Sequence, residues 1–366
     1  MKLGYFAMPL HPLGRTWQET LTEDREAVIL ADQLGFNDAF IGEHLTDEHE
    51  NVTNSLLFLA TLISDTKQIK LATGTTNLSH QHPALVAANS AMFDHIANGR
   101  FILGVSPGAL ASDAEVLGIL DEDRNKIFAD SIDMITAIWE SEAPYDLSFP
   151  GNQFEVSTSR TINRELSMGI LPKPLQQPRP EIVGTVVAPF SKGVIVMGQK
   201  DFHPLSANFL LPKWVKTHWP NYVQGKESIG AVADPADWRI ARTIFVADTP
   251  EIAEEYALTR EDSPYRFYYS QMHKKMSLLG RLGLFKEDQA APDEDVTLDQ
   301  IMSDLVIAGT PEQVAASILE LRSEVGDFGE IVYAGMDWAD ETLGRRSMEL
   351  MANEVMPLVN AELERL

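Results

Sequence analysis

The stretch IKLATGTTNLSHQHPALVAANSAMFDHIANGRFILGVSPG, residues 69–108, reads as one complete strand–helix–strand unit. IKLATGT (69–75) is a short apolar, β-rich run that ends on small residues. His82-Pro83 then marks a helix start, because proline fits the first helical position, whose N–H has no partner in any case. Apolar residues recur with helical spacing through HPALVAANSAMFDHIANG, and Asn98-Gly99 closes that helix. RFILGVS (100–106) is a second apolar strand. Two adjacent strands joined through a helix run parallel, so this segment alone points to an α/β protein with a parallel sheet.

The same alternation extends in both directions. KLGYFA (2–7), DAFIG (38–42), EIVGTV (181–186), HPLSAN (203–208), RIARTIFVA (239–247) and EIVYAG (330–335) are the other strand candidates. Thr16 and Glu19 have capping-box spacing ahead of the first helix, and Gly35 stands where a glycine would end it. GTPEQVAASILELRSEVG predicts a turn, Pro311 near a helix start and an amphipathic helix, with a closing helix at 339–360 after the last strand. Eight strands match the number in a (β/α)8 TIM barrel, and a doubly wound sheet is the competing arrangement. The reading is one barrel domain over residues 1–366. Residues 107–122, 141–180 and 259–300 fall outside the repeat. Insertions in barrels lie mostly in the loops after strands, so these three are predicted to cover the C-terminal face and enclose the substrate.

The charge balance, 29 Lys+Arg against 54 Asp+Glu for a net −25, repels phosphate backbones and anionic membrane surfaces and argues against nucleic acid binding. There is no cysteine, hence no disulfide and no thiolate metal site. No apolar run approaches the roughly 18 residues of a membrane span, and the N-terminal stretch does not read as a signal peptide. A cytoplasmic protein with no membrane partner is the expectation.

In a parallel barrel the reactive groups stand at the C-terminal strand ends. Glu43 and His44 follow AFIG in that position, beside His11 after the first strand and Asn77 after the third. By position alone His44 reads either as a reactive group or as an incidental loop histidine. Gly74, Thr75 and Thr76 end their strand with small residues, which suits close approach of a flat ligand or is a plain strand terminus. His80, His82 and His44 lack further ligands at a metal-site spacing, and no metal is expected. Gly104, Ser106 and Gly108 span another strand end without a dinucleotide or P-loop fingerprint. The Ser191-Lys192-Gly193 turn after the fifth strand reads equally as an anion site at a helix N-terminus or as an ordinary helix start. A nucleophile elbow and an HExxH zinc pattern are both missing from the sequence, which weakens hydrolase readings.

With these positions laid out, the chain resembles the bacterial luciferase-like flavin-dependent monooxygenases, especially the branch acting on terpenes and cyclic ketones. GFNDAFIGEH, the 69–108 block, GTPEQVAASI and EVMP carry the resemblance, which spans nearly the whole length and is weakest in 141–180 and 259–300. It implies a (β/α)8 barrel using reduced FMN (FMNH2) from a separate flavin reductase, by diffusion if need be. It further implies a C4a-peroxyflavin formed with O2, insertion of one oxygen atom into a hydrophobic ketone, terpene or aldehyde, and a homodimer built through early βα helices. His44 matches the family's histidine that assists flavin–oxygen chemistry. Gly74-Thr75 matches a non-prolyl cis peptide under the isoalloxazine, Ser106 a position facing the ring near C4a, and Ser191 the phosphate-loop serine. Thr185 and Lys192 are grouped with them on the cofactor side, and His11, Asn77, Trp214 and Tyr268 on the substrate side. Some members carry an arginine for the FMN phosphate where Pro107 stands here, so Lys192 or backbone amides must meet the phosphate. Alternatives are a deazaflavin-dependent hydride-transfer enzyme on the same barrel, a non-catalytic flavin-binding relative, and a flavin-free barrel isomerase or hydrolase.

Overall fold

The computed structural model describes residues 1–7 and 10–365; Met8, Pro9 and Leu366 lie outside the described residues. Eight strands close on themselves: β1 (Lys2–Ala7), β2 (Asp38–Ile41), β3 (Lys70–Thr73), β4 (Phe101–Ser106), β5 (Glu181–Val186), β6 (His203–Ser206), β7 (Arg239–Val246) and β8 (Glu330–Gly335). Each pairs in parallel with the next, from Tyr5↔Ala39 round to Lys2↔Glu330, where β8 returns to β1. The fold is the predicted TIM barrel, with helices between the strands. Two short strands add to it: Thr76–Asn77 beside the end of β4, and Val306–Gly309 beside the second half of β7. Among the described residues no helix is long and apolar enough to cross a membrane.

Period-two alternation sends one residue set inward, and Phe40, Ala72, Ile102, Val183, Leu205, Ala241 and Val332 make a buried layer inside the barrel with Phe6 against it. Below that layer, at the N-terminal strand ends, the buried Arg239 of β7 meets Asp38 of β2 at 3.0 Å, Glu181 of β5 at 2.7 Å and Glu330 of β8 at 3.3 Å. This ion cluster closes the bottom, so any cavity must open at the top. The outward set packs on the helices in the larger core, and a second aromatic core of Phe245, Tyr256, Tyr265, Tyr268 and Tyr269 sits over the β7 side.

The local signals hold where the chemistry is strongest. Thr16 and Glu19 form both bonds of a capping box on Trp17–Gln33, and Gly35 has φ +82° just beyond it. His82 caps Pro83–Ile96 by accepting from the Ala84 N–H at 3.2 Å. The third strand is shorter than the apolar run 69–75: the ladder stops at Thr73, the Gly74–Thr75 peptide is cis, and pairing resumes at Thr76.

One expectation needs correction. Residues 141–180 follow a helix (Arg124–Glu140) and precede a strand, so they leave the barrel at its lower end. Their hairpin, Asp146–Ser148 with Glu155–Ser157, climbs the outside of that helix, where Asn152 donates to the Asp130 carbonyl. None of them lines the cavity described below, whereas Ala109 from 107–122 and Tyr268 from 259–300 do.

Candidate active site

At the C-terminal ends of the strands lies a cavity enclosing about 700 Å³, part of it open solvent. Its floor is the top of the inner layer, Phe6, Leu205 and Ala241, extended by Val187, Ala207 and Phe209. Its polar groups come from successive strand ends: Glu43 and His44 after β2, Thr75 and Asn77 after β3, Ser106 at the end of β4, Thr185 on β5 and Asn208 after β6. Tyr268 reaches in from the helix Pro264–Leu278.

Two carboxyl groups flank the His44 ring. Its Nδ1 is 3.2 Å from Asp113 Oδ2, and its Nε2 is 3.6 Å from Glu50 Oε2. Burial opposes ionisation of Asp113. Hydrogen bonds from Thr46 Oγ1, the Leu45 N–H and His44 outweigh it, and the carboxyl is held below its ordinary range. Glu50 is the reverse case: burial dominates, pushes its carboxyl up, and leaves Oε2 without a hydrogen-bond partner. The imidazole therefore has one nitrogen fixed by a carboxylate and the other beyond hydrogen-bond reach of its neighbour.

Glu43 organises the wall. Its Oε2 accepts from the N–H and hydroxyl of Ser55, each at 2.8 Å, and its Oε1 from the Asn77 N–H at 3.0 Å. Asn77 Nδ2 donates to the Glu43 carbonyl at 3.2 Å, which turns Asn77 Oδ1 toward Ser106 Oγ at 2.9 Å. Thr75 Oγ1 is 2.6 Å from Ser106 Oγ. Opposite, Asn208 donates to Thr243 at 2.9 Å and pairs with Tyr268, whose hydroxyl is pushed up to about 12 by burial and stays protonated.

Seven of the eleven residues singled out from sequence, His44, Gly74, Thr75, Asn77, Ser106, Thr185 and Tyr268, line this one cavity. Four do not. Ser191 and Lys192 lie at the start of the helix Gly193–Lys200, reached by the chain that leaves the cavity at Val187. The Trp214 indole donates to the Leu284 carbonyl at 3.0 Å and packs edge-on against Phe190. His11 is buried outside the cavity, 2.6 Å from Asp337 and 3.3 Å from Asp24. His11, Glu23 and Asp337 are close enough together to hold a cation, but Arg15 already bridges Asp337 at 2.5 Å and Glu23 at 2.7 Å. Asp113, Glu50 and Asn208 were missed. Asn208 follows a strand end and is reachable by the barrel rule; the two acids carry no signal in the sequence, because folding alone brings them to His44.

The family model for luciferase-like monooxygenases matches residues 1–327. The chain is 30% identical over its full length to 4-hydroxyprotoasukamycin monooxygenase of Streptomyces nodosus subsp. asukaensis, covering 94% of that protein. Over 98% of its length it is 28% identical to limonene 1,2-monooxygenase of Rhodococcus erythropolis, covering 87% of it. Its fold superposes with a TM-score of 0.86, at 24% identity over 98% of both chains, on the oxygenating constituent of 3,6-diketocamphane monooxygenase from Pseudomonas putida, a type II Baeyer–Villiger monooxygenase solved with FMN. A parallel barrel open only at the top, a histidine held between two acids at its rim, and a family match over most of the length agree: this chain is an enzyme of the luciferase-like monooxygenase family.

Proposed function

We propose that the protein is the oxygenase of a two-component system, taking reduced FMN from a separate flavin reductase and inserting one oxygen atom of O2 into a hydrophobic ketone, terpene or aldehyde. The observation that carries this reading is the make-up of the cavity: an apolar floor with hydroxyl and amide groups along one side and one imidazole at the rim. A flavin ring is flat, apolar at its xylene end and polar at its pyrimidine end, and suits such a space. Reduced flavin, when bound, supplies the electrons that activate O2.

The chain's own groups then divide the remaining work. Gly74 and Thr75 lie under the ring and Ser106 at its edge, with Thr185 across from them. Ser191, Lys192 and the first N–H groups of Gly193–Lys200 meet the phosphate, where the helix dipole and an exposed ammonium compensate for Pro107. His44, with Nδ1 fixed by Asp113, holds and returns a proton at Nε2. Phe209, Leu205, Val187 and Tyr268 exclude water from the reacting atoms and take the apolar substrate. Asn77 sets the substrate side of the wall.

Anaerobic titration with photoreduced FMN, followed by mixing with oxygen and a panel of cyclic ketones and terpenes, tests the reading. Reduced FMN is expected to bind and an oxygenated product to form. His44→Asn should bind reduced FMN and release hydrogen peroxide in place of product; no binding of reduced FMN would sink the reading. The functional unit is proposed to be a homodimer. Leu57, Leu85, Met92 and Ile96 are all more than half exposed on the adjacent helices Ser55–Ala60 and Pro83–Ile96, an apolar face suited to a second copy. Light scattering at the monomer mass would refute it.

A further inference from the structure

Asp113 and Glu50 flank the His44 ring from opposite sides, and they do so unequally. Asp113 accepts hydrogens from Thr46 Oγ1 and the Leu45 N–H, so it is an ionised acceptor and fixes the ring hydrogen at Nδ1 of His44. Nε2 is then left with a lone pair. Facing it at 3.6 Å is Glu50 Oε2, a buried oxygen that receives no hydrogen bond among the described residues.

Glu50 is 5% exposed and is not part of the lining of the cavity at the strand ends. The titratable groups that face it come from three elements. Its own loop supplies His44 and Asp47. The helix Pro264–Leu278 supplies Lys275, whose Nζ is 3.6 Å from Glu50 Oε1 and 2.6 Å from Asp47 Oδ2, with Tyr268 farther off. The helix Trp17–Gln33 supplies Asp24 across a small space shared with Asn51, and Asp24 is already engaged by Asn51 Nδ2 at 2.9 Å and His11 Nε2 at 3.3 Å. Lys275 thus addresses the other oxygen, and nothing solvates Oε2 as an anion. Two bare lone pairs, on Nε2 and on Oε2, face each other in a buried place unless a proton lies between them. Burial pushes the Glu50 carboxyl up, in the same sense.

We propose that Glu50 is the proton store of His44: its Oε2 carries the hydrogen at rest and hands it to Nε2, from which the ring delivers it into the cavity. In that step the O–H bond of Glu50 breaks and an N–H bond forms at Nε2. A carboxylate is left beside an imidazolium whose Nδ1 hydrogen still points to Asp113, and the charged ring stands between two carboxylates. Giving the Nε2 hydrogen to a group in the cavity returns the ring to its neutral form. The Glu50 carboxylate recovers a proton from Lys275, whose one-third exposed ammonium takes one back from solvent water. At 3.6 Å, Nε2 is close enough to reach Glu50 by a small rotation and too far to be locked to it, so it can serve both sides. Glu50 acts through His44 and touches no ligand itself. This inference rests on the acid–base role given to His44 above.

Two measurements on the purified full chain, with Glu50→Gln and Glu50→Asp beside it, test the proposal. The first needs no flavin: infrared spectra in H2O and D2O over a range of pH. At neutral pH the parent is expected to show the carbonyl band of a protonated carboxyl that Glu50→Gln lacks. The second is the fraction of consumed O2 recovered in oxygenated product, with reduced FMN supplied and a cyclic ketone or terpene that the parent turns over. Glu50→Gln should lower that fraction at least about tenfold with its affinity for reduced FMN within about twofold of the parent's, and Glu50→Asp, which keeps a carboxyl, should recover most of the loss. In the parent the band and the product fraction should fall together as pH rises, with midpoints within about one pH unit of each other. A spectrum unchanged in Glu50→Gln, or a product fraction within about twofold of the parent's, would overturn the proposal while leaving the flavin reading intact. Failure of reduced FMN to bind the parent would overturn the oxygenase reading and the role of Glu50 with it.

Discussion

His218 and His11 are both buried, and their surroundings drive the two imidazoles in opposite directions. Burial pushes His218 down to about 4, a shift only partly offset by the Ala188 carbonyl 3.0 Å from Nε2. The neutral ring accepts a hydrogen bond from the Ser206 hydroxyl at Nδ1, and Ser206 in turn accepts from the Trp238 indole. Burial would also lower His11, but hydrogen bonds to Asp24 and Asp337 raise it to about 9. His218, lowered in the folded state, contributes stability above its unfolded value of 6.5 that is lost as pH falls toward 4. His11, raised, contributes stability below 6.5 that is lost as pH rises through 9. At 1.36 kcal/mol for each pH unit, each contribution is on the order of 3 kcal/mol. Urea midpoints of His218→Gln measured from acid to alkaline pH are expected to differ from the parent's mainly above pH 6.5, and those of His11→Gln mainly below it. Parallel profiles for either variant would refute its assignment.

The seam between β3 and β4 holds the cavity wall in place. A Cβ on Gly104 would stand 1.8 Å from the Thr73 carbonyl oxygen, while Thr73 Oγ1 donates to the Gly104 carbonyl at 2.8 Å and accepts its N–H at 2.9 Å. Two backbones this close cannot part without moving Thr75 and Ser106 as well. Gly104→Ala is expected to lower stability by about 3 kcal/mol or to abolish folding, read as a urea midpoint against the parent. At this scale the sequence was most informative. Apolar runs bounded by Gly, Pro and Asn mark all eight barrel strands, and the capping signals at Thr16 and His82 rest on bonds made within a few residues. Strand ends also pointed to His44, Thr75, Asn77 and Ser106, all of which line the cavity. What stayed hidden depends on long-range packing. Asp113 reaches His44 across 69 residues, and His11 follows a strand yet turns away from the cavity because Asp24 and Asp337 hold it. The strand-end rule says where a residue sits, but not which neighbours claim its side chain.

Across the whole molecule, the cavity draws on both halves of the chain. Phe6, His44, Thr75 and Ser106 come from β1–β4 and their loops, whereas Thr185, Leu205, Ala241 and Tyr268 come from β5 onward. The halves are connected through 141–180, which rises along the outside of Arg124–Glu140. Its hairpin is anchored by the buried Tyr145 and Val156, but from Ser159 to Gly169 nearly every side chain is exposed or half-buried. Trypsin under native conditions is expected to cut there first, after Arg160 or Arg164. The nicked protein should elute as one particle with its affinity for reduced FMN within about twofold of the intact chain, since the β4–β5 ladder and the ion cluster at the barrel floor both cross the cut. Dissociation into fragments on native chromatography would show that the peptide link is needed. Because that link keeps to the outer wall and never crosses the mouth, the two half-barrels could be expressed as separate polypeptides, and a complete pocket would then report that the two had met.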